Sequence, residues 1–382
     1  MAWVYLGATD IGWRTEGRDL RIVQLQKLRQ KLEQQEIEAL LVSQSENRRY
    51  LSGFTGSAGW LLISNSNAYL AVDFRYVEQA KKEAPGFDIL HIKGDMANWL
   101  PGFASDLSLK NIGFEADEIS VAAYRQLCDK LVNSQHQIKL VPTNNLVESI
   151  RAVKETAELE FITKAAGLAD FTLEYAKSIS RPGVTEKDIA WELEKSLREK
   201  GSESMPFDII IASGPNSALP HARPSGRVIN LDEPIIIDLG AKVNGYCCDL
   251  SRTFCLGKGN GIFSKVYDTA LGAQLTALAT IKVGMSGAQA DQLSRIIIEQ
   301  ADYGAAFGHG LGHGVGLASH ELPRLGPNSS DLLADGMVFT IEPGIYIPGW
   351  GGVRIEDTVT LKNGKIKILT KASKTANTEL GI

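Results

Sequence analysis

Between residues 219 and 357 this chain repeatedly sets an acid or a histidine at the end of an apolar, strand-like run, and any fold must either gather those groups or keep them apart. In order the segments are Leu219-Pro220-His221; Ile237-Asp238-Leu239-Gly240; Cys248-Asp249-Leu250-Ser251; a glycine-laced run from Gly308 to Gly316 that holds His309 and His313, with His320 just beyond; and the pair Ile341-Glu342-Pro343-Gly344 and Arg354-Ile355-Glu356-Asp357. A buried carboxylate without a partner is costly, and bound cations would compensate it. Four carboxylates balance two divalent ions and, with one imidazole, leave an open position for hydroxide. Paired ions with spare histidines suit hydrolysis. So carboxylate-rich a set points to harder ions such as Mn²⁺.

Taken singly, each residue has a plain structural reading. Asp238 ends the run Ile235-Ile236-Ile237 and alone suits a turn near Gly240. Cys247, Asp249 and Ser251 share one face of a strand by the period of two. The segment Lys242 to Tyr246 suits a hairpin turn, so two antiparallel strands would present Asp238 and Asp249 to one pocket. The plainer alternative is an exposed Asp249 paired with Arg252. His309 and His313 are four apart, but glycine at 308, 310, 312, 314 and 316 opposes a helix there. Those glycines imply closely packed backbone or positive φ. Arg354 and Glu356 point to one face of a strand. They are either a surface ion pair, or a bridging ligand with Arg354 beside the metals or facing substrate.

The chain has 382 residues, which favours two domains. A net charge of −5 argues against a nucleic-acid partner, and no apolar run approaches the ~20 residues of a membrane span. Residues 1–19 show no signal-peptide pattern; with Trp3 and Trp13 they read as an extension or a loose edge element. The cysteines, Cys128, Cys247, Cys248 and Cys255, form no C-x-x-C, so a reducing cytoplasm fits. Residues 20–145 alternate strand and helix: a helix over Leu20–Gln35, strands at Ala39–Val42, Trp60–Ile63 and Ala68–Val72, a helix at Val77–Glu83. Residues 146–382 carry helices and antiparallel strands in blocks, an α+β pattern. The expected strands there include Pro234–Leu239, Gly245–Leu256, Met337–Tyr346 and Val353–Leu361.

The acid and histidine segments resemble the pita-bread metallopeptidases, the group of methionine aminopeptidase, aminopeptidase P (Xaa-Pro aminopeptidase) and prolidase, whose ligands run Asp, Asp, His, Glu, Glu. Asn47-Arg48-Arg49-Tyr50-Leu51-Ser52-Gly53-Phe54-Thr55-Gly56-Ser57 and Asp73-Phe74-Arg75-Tyr76-Val77-Glu78-Gln79-Ala80 resemble the creatinase-type N-terminal domain of bacterial Xaa-Pro peptidases. The resemblance implies an α/β creatinase-like N-terminal domain followed by an α+β pita-bread (creatinase/aminopeptidase) catalytic domain. It implies Asp238, Asp249, His313, Glu342 and Glu356 as ligands of two divalent ions per subunit, Mn²⁺ first, with Co²⁺ or Zn²⁺ as alternatives. It gives His221, His320 and Glu342 catalytic roles and puts His309 and Arg354 on the substrate side. The implied activity is Xaa-Pro aminopeptidase, a metal-bridging hydroxide attacking the bond before proline, in a cytoplasmic homodimer whose partner is a peptide with proline second. Prolidase, the Xaa-Pro dipeptidase, is the near alternative. A non-catalytic pita-bread peptide-binding module is the remote one, opposed by the intact ligand set. Creatinase itself lacks the ligands. Neither a G-x-S-x-G elbow nor an H-E-x-x-H motif occurs.

Overall fold

The structure, a computed structural model, describes residues 5–6, 15–132 and 138–378. Trp3, Trp13 and most of the expected extension lie outside the described residues. The chain divides into two compact units, residues 1–151 and 152–382.

In the first unit, the described residues form a seven-stranded sheet of order β1-β5-β4-β3-β2-β6-β7. Its strands are β1 (Tyr5–Leu6), β2 (Ala39–Val42), β3 (Trp60–Ser64), β4 (Ala68–Val72), β5 (Asp88–His91), β6 (Asn111–Glu115) and β7 (Lys139–Thr143). The helices are α1 (Thr15–Gln34), α2 (Ser45–Ser52), α3 (Val77–Glu83), α4 (Met96–Asp106), α5 (Val121–Val132) and α6 (Glu148–Arg151). Every residue of β2 and β4 is buried, as continuous apolar runs inside a covered sheet should be. Apolar periodicity marks neither α2 nor α4 as a helix. α2 is rich in polar groups because they serve the interior: the Arg48 guanidinium, 3% exposed, donates to the carbonyls of Ser43, Gly56 and Gly59. α4 carries Pro101 inside it, a residue that argues against helix on propensity alone. Leu146–Arg151 goes with this unit, where Arg151 donates to Gln44 and Asn47.

In the second unit, α7 (Thr156–Ile179), α8 (Glu186–Glu199), α9 (Gly261–Thr280) and α10 (Gly287–Gln300) accompany the sheets. α7 buries Ala165, Ala166, Ala169, Leu173 and Ala176, a stripe at helical spacing whose small residues let the helix lie close. Thr185 and Asp188 form a capping box at the start of α8, and Ser286 and Gln289 do so for α10. Among the described residues, one sheet runs β20-β12-β9-β8 and another β14-β13-β15-β18-β19, with two-stranded pairs β10-β11 and β16-β17. These strands are β8 (Ile210–Ser213), β9 (Pro234–Leu239), β10 (Lys242–Val243), β11 (Tyr246–Cys247), β12 (Leu250–Leu256), β13 (Gly312–Gly314), β14 (Glu321–Leu325), β15 (Val338–Ile341), β16 (Gly344–Ile347), β17 (Gly351–Arg354), β18 (Asp357–Lys362), β19 (Lys365–Ile368) and β20 (Asn377–Thr378). No described helix is long and apolar enough to cross a membrane.

Three expected strands are each broken in two, and every break falls beside an acid of the motif set. Gly245–Leu256 divides into β11 and β12 around Cys248-Asp249. β11 turns back on β10 through Asn244 and Gly245, both at positive φ. Met337–Tyr346 divides at Glu342-Pro343, and Val353–Leu361 divides at Ile355-Glu356. Proline has no N–H to continue a ladder.

Candidate metal centre

Two strand pairs deliver the four acids. On β9 and β12, Asp238 pairs across from Ser251, one rung after Leu239 pairs with Leu250. Asp249 stands just before β12, so it lies off the ladder. The Thr358 hydroxyl on β18 fixes it instead, accepting from the Asp249 N–H at 3.1 Å and donating to its carbonyl at 2.7 Å. The expected period of two from Cys247 through Asp249 to Ser251 is therefore interrupted at Cys248-Asp249, and the ladder begins at Leu250. On the second pair, the β15–β18 ladder ends at Ile341 opposite Asp357, and the β16–β17 ladder begins at Gly344 opposite Arg354. Between them Glu342 and Glu356 face the interruption, bridged there by an Ile355 N–H to Pro343 carbonyl contact of 3.4 Å.

His313 enters from β13. Its N–H donates to Thr340 Oγ1 at 3.0 Å, and its Nδ1 lies 3.1 Å from the Gly314 carbonyl. A proton on Nδ1 is satisfied by that carbonyl, which leaves Nε2 with a lone pair. Nε2 is 3.3 Å from Glu342 Oε1 and 3.7 Å from Asp249 Oδ2. One ligand atom each from Asp249, His313 and Glu356 lie within 4.8 Å of one another. The flanking glycines serve close approach, not positive φ. A Cβ at Gly310, Gly312 or Gly314 would strike the carbonyl oxygens of Leu325, Thr340 and Leu322 respectively, and one at Gly316 would strike the Glu321 carboxylate. None of these four has positive φ.

Hydroxyls and one guanidinium hold the acids from behind. Ser251 Oγ donates to Glu356 Oε2 at 2.7 Å, and Thr340 Oγ1 to Glu342 Oε1 at 3.0 Å. Arg354, 3% exposed, donates to Asp238 Oδ2 at 2.6 Å, to Tyr346 Oη at 2.7 Å, to Ser251 Oγ at 3.0 Å and to the Pro220 carbonyl at 3.1 Å. Asp238 Oδ1 is buried with no hydrogen-bond partner among the described residues. Burial, and then mutual repulsion, pushes the Asp249 and Glu356 carboxyls well above the usual range. Glu342 is raised too, first by burial, and burial lowers His313. Crowded acids that resist ionisation, an orphaned carboxylate oxygen and an imidazole lone pair aimed at them together fit divalent cations.

The other histidines surround this cluster. His320 is exposed, and its ring stacks on His313 with centroids 3.8 Å apart. Loss of hydration, then the neighbouring His313, pushes it down to about 4. His309 bonds Tyr346 Oη through Nε2 at 3.0 Å and the Gly310 carbonyl through Nδ1 at 2.7 Å, with its ring edge-on to Phe307. His221 is exposed on the turn after residues 214–218. Sequence marks none of Tyr346, Thr340 and Thr358, and places Ser251 only on the strand face of Asp249, without a role. The hydroxyls at 251 and 340 stand two residues from Asp249 and Glu342, a spacing that could have found them. Nothing local marks Tyr346, whose hydroxyl joins His309 to Arg354 across the strand break.

Residues 160–363 match metallopeptidase family M24, and residues 24–153 match the creatinase/prolidase N-terminal domain. The chain is 34% identical over 358 residues to the Xaa-Pro dipeptidase of Pyrococcus horikoshii, a match spanning 93% of this chain and 99% of that relative. The solved structure of an Xaa-Pro dipeptidase from Bacillus anthracis aligns with a TM-score of 0.89 at 38% identity, over 94% of this chain and 99% of that one. That of an X-Pro aminopeptidase from Thermotoga maritima aligns with a TM-score of 0.84 at 35% identity, over 92% of this chain and 99% of that one.

Proposed function

This chain belongs to metallopeptidase family M24, with a creatinase-type N-terminal domain and a pita-bread catalytic domain, and on that premise we propose that it is an Xaa-Pro exopeptidase that cuts the bond preceding proline. Asp238, Asp249, His313, Glu342 and Glu356 would hold two divalent ions, Mn²⁺ first, with Co²⁺ or Zn²⁺ as alternatives. The observation that carries this reading is the convergence of Asp249, His313 and Glu356 on one point beside the unpartnered Asp238 Oδ1. When bound, such ions supply Lewis acidity to a substrate carbonyl and to the attacking water.

The chain's own groups do the rest. Glu342, raised in pKa and steadied by Thr340, takes the water's proton and passes it to the leaving nitrogen. His320, neutral near pH 7, donates an N–H to the carbonyl oxygen as negative charge builds there. His221 orients the substrate from the exposed side. His309, its ring held edge-on by Phe307, bounds the proline ring, whose nitrogen offers no N–H to a general aminopeptidase site. Arg354 spends its donors on Asp238, Ser251, Tyr346 and Pro220, so we assign it to holding Asp238 and not to the substrate.

The motifs of the first unit favour an aminopeptidase open to longer peptides. The relatives from Pyrococcus horikoshii and Bacillus anthracis carry the name dipeptidase, and that favours the second reading. Full-length protein loaded with Mn²⁺ is offered an Xaa-Pro dipeptide and an Xaa-Pro tripeptide. Cleavage of both supports the aminopeptidase, cleavage of the dipeptide alone the dipeptidase, and cleavage of neither refutes the peptidase reading. We further propose a homodimer, on family resemblance, and a reducing compartment, the cytoplasm, because no disulfide joins the four cysteines among the described residues.

A further inference from the structure

One buried polar side chain near the centre has no place in the chemistry above. Gln274 lies on α9, fully buried, among alanines that pack the helix onto the sheet. Its Nε2 donates to the Ile341 carbonyl at 3.2 Å and to Asp357 Oδ2 at 3.1 Å. Those two residues form the last rung of the β15–β18 ladder. The next residue outward on one strand is Glu342, and on the other Glu356. Both acids therefore stand where the ladder opens, one residue from an amide that ties the two strands together.

Gln274 Oε1, meanwhile, is buried with no hydrogen-bond partner among the described residues. The carboxylate of Asp357 does not depend on Gln274: Arg252 Nη2 donates to it at 2.7 Å, Thr370 Oγ1 at 2.9 Å, and Lys374 Nζ lies 2.6 Å away. A buried group left unsatisfied costs at least as much as a made hydrogen bond gains, so the orphaned Oε1 offsets much of what the two Nε2 bonds contribute to folding, and a methionine of similar length removes both sides of that balance. What methionine could not do is hold the two strands at a set separation.

We propose that Gln274 is a positioning residue of the metal centre: its amide clamps the rung before the ladder opens and thereby sets the distance between Glu342 and Glu356. Groups that orient metal ligands without touching the ion are worth about 10–100-fold in affinity. This rests on the metal-binding reading above, and the test separates the two. Full-length parent, Gln274→Met and Gln274→Leu are stripped with chelator. Each is titrated calorimetrically with Mn²⁺ and melted in the metal-free state. The expected result is Mn²⁺ affinity about 10-fold weaker or more in at least one variant whose metal-free midpoint stays within about 3 °C of the parent. Affinities within about twofold of the parent would overturn the proposal. So would metal-free midpoints that collapse in both variants, because Gln274 would then be a strut of the core. A parent that fails to take up two equivalents of Mn²⁺ removes the metal centre itself, whereas a parent that takes up two with matching variants removes only the role of Gln274.

Discussion

Replacing Arg354 by methionine tests the electrostatics of the centre without touching a proposed ligand. The Arg354 and Asp238 side chains are 4% and 12% exposed and meet at 2.6 Å. Asp238 Oδ1 already has no partner, so the substitution leaves the whole carboxylate uncompensated in the metal-free protein. Breaking one side of a buried pair costs about 3–5 kcal/mol. The neutral acceptors add little: Tyr346 Oη keeps His309, and Ser251 Oγ keeps its bond to Glu356. For a unit of this size each kcal/mol moves the midpoint by about 2–4 °C, so the metal-free variant should melt roughly 6–20 °C below the parent. The assay is thermal unfolding in chelator. Asp238→Asn and the double variant complete the cycle. With both partners gone no charge is stranded, so the double variant should lie within about 2 kcal/mol of the parent and the coupling should be at least about 4 kcal/mol. A loss under about 1 kcal/mol for Arg354→Met, or strictly additive singles, would refute the reasoning.

Glu342→Gln should lower kcat on an Xaa-Pro substrate by about 10²–10⁴-fold, because the amide cannot carry the proton; steady-state rates at saturating Mn²⁺ check this, and an unchanged kcat would remove Glu342 from the chemistry. Gly312→Ala puts a methyl against the Thr340 carbonyl and should cost about 1–3 kcal/mol in thermal stability while displacing His313; a midpoint equal to the parent's would show that β13 has room to give. Metal removal should expose a pH dependence. The Asp249, Glu342 and Glu356 carboxyls are raised in the folded state, so the folded protein retains protons that the unfolded chain has released. The metal-free protein therefore loses stability as pH rises above the ordinary carboxylate values. His309, His313 and His320 are lowered and act in the opposite sense up to about pH 6.5, beyond which they are neutral in both states. Between about pH 7 and about pH 8 the metal-free midpoint should fall more steeply than the Mn²⁺-loaded one. Parallel slopes in a melting series would count against ligation by these carboxylates.

Local pattern carried much of this protein. β2, β4, α3 and β9 fall on the residues that apolar runs and helical spacing indicate, because burial on a strand or helix repeats with a short, readable period. The acid and histidine segments were equally legible, since a carboxylate closing an apolar run has few other uses, and the likeness to a known ligand order named the set. The helices that escaped were those whose composition answers to distant partners, such as Arg48 and Asn47 in α2. Tertiary structure alone decided the rest. Only the register of β15 on β18 shows that the ladder ends at Ile341 and Asp357, so that Glu342 and Glu356 are the next residues beyond its last rung. The neighbouring carbonyls, in the same way, show that the glycines around His313 make room for crossing backbone. Arg354, too, could be placed behind Asp238 only once strands more than a hundred residues apart were side by side. Sequence spacing records which face a side chain takes along its own strand; it holds no record of which strand will lie opposite, and a metal centre is made of opposites.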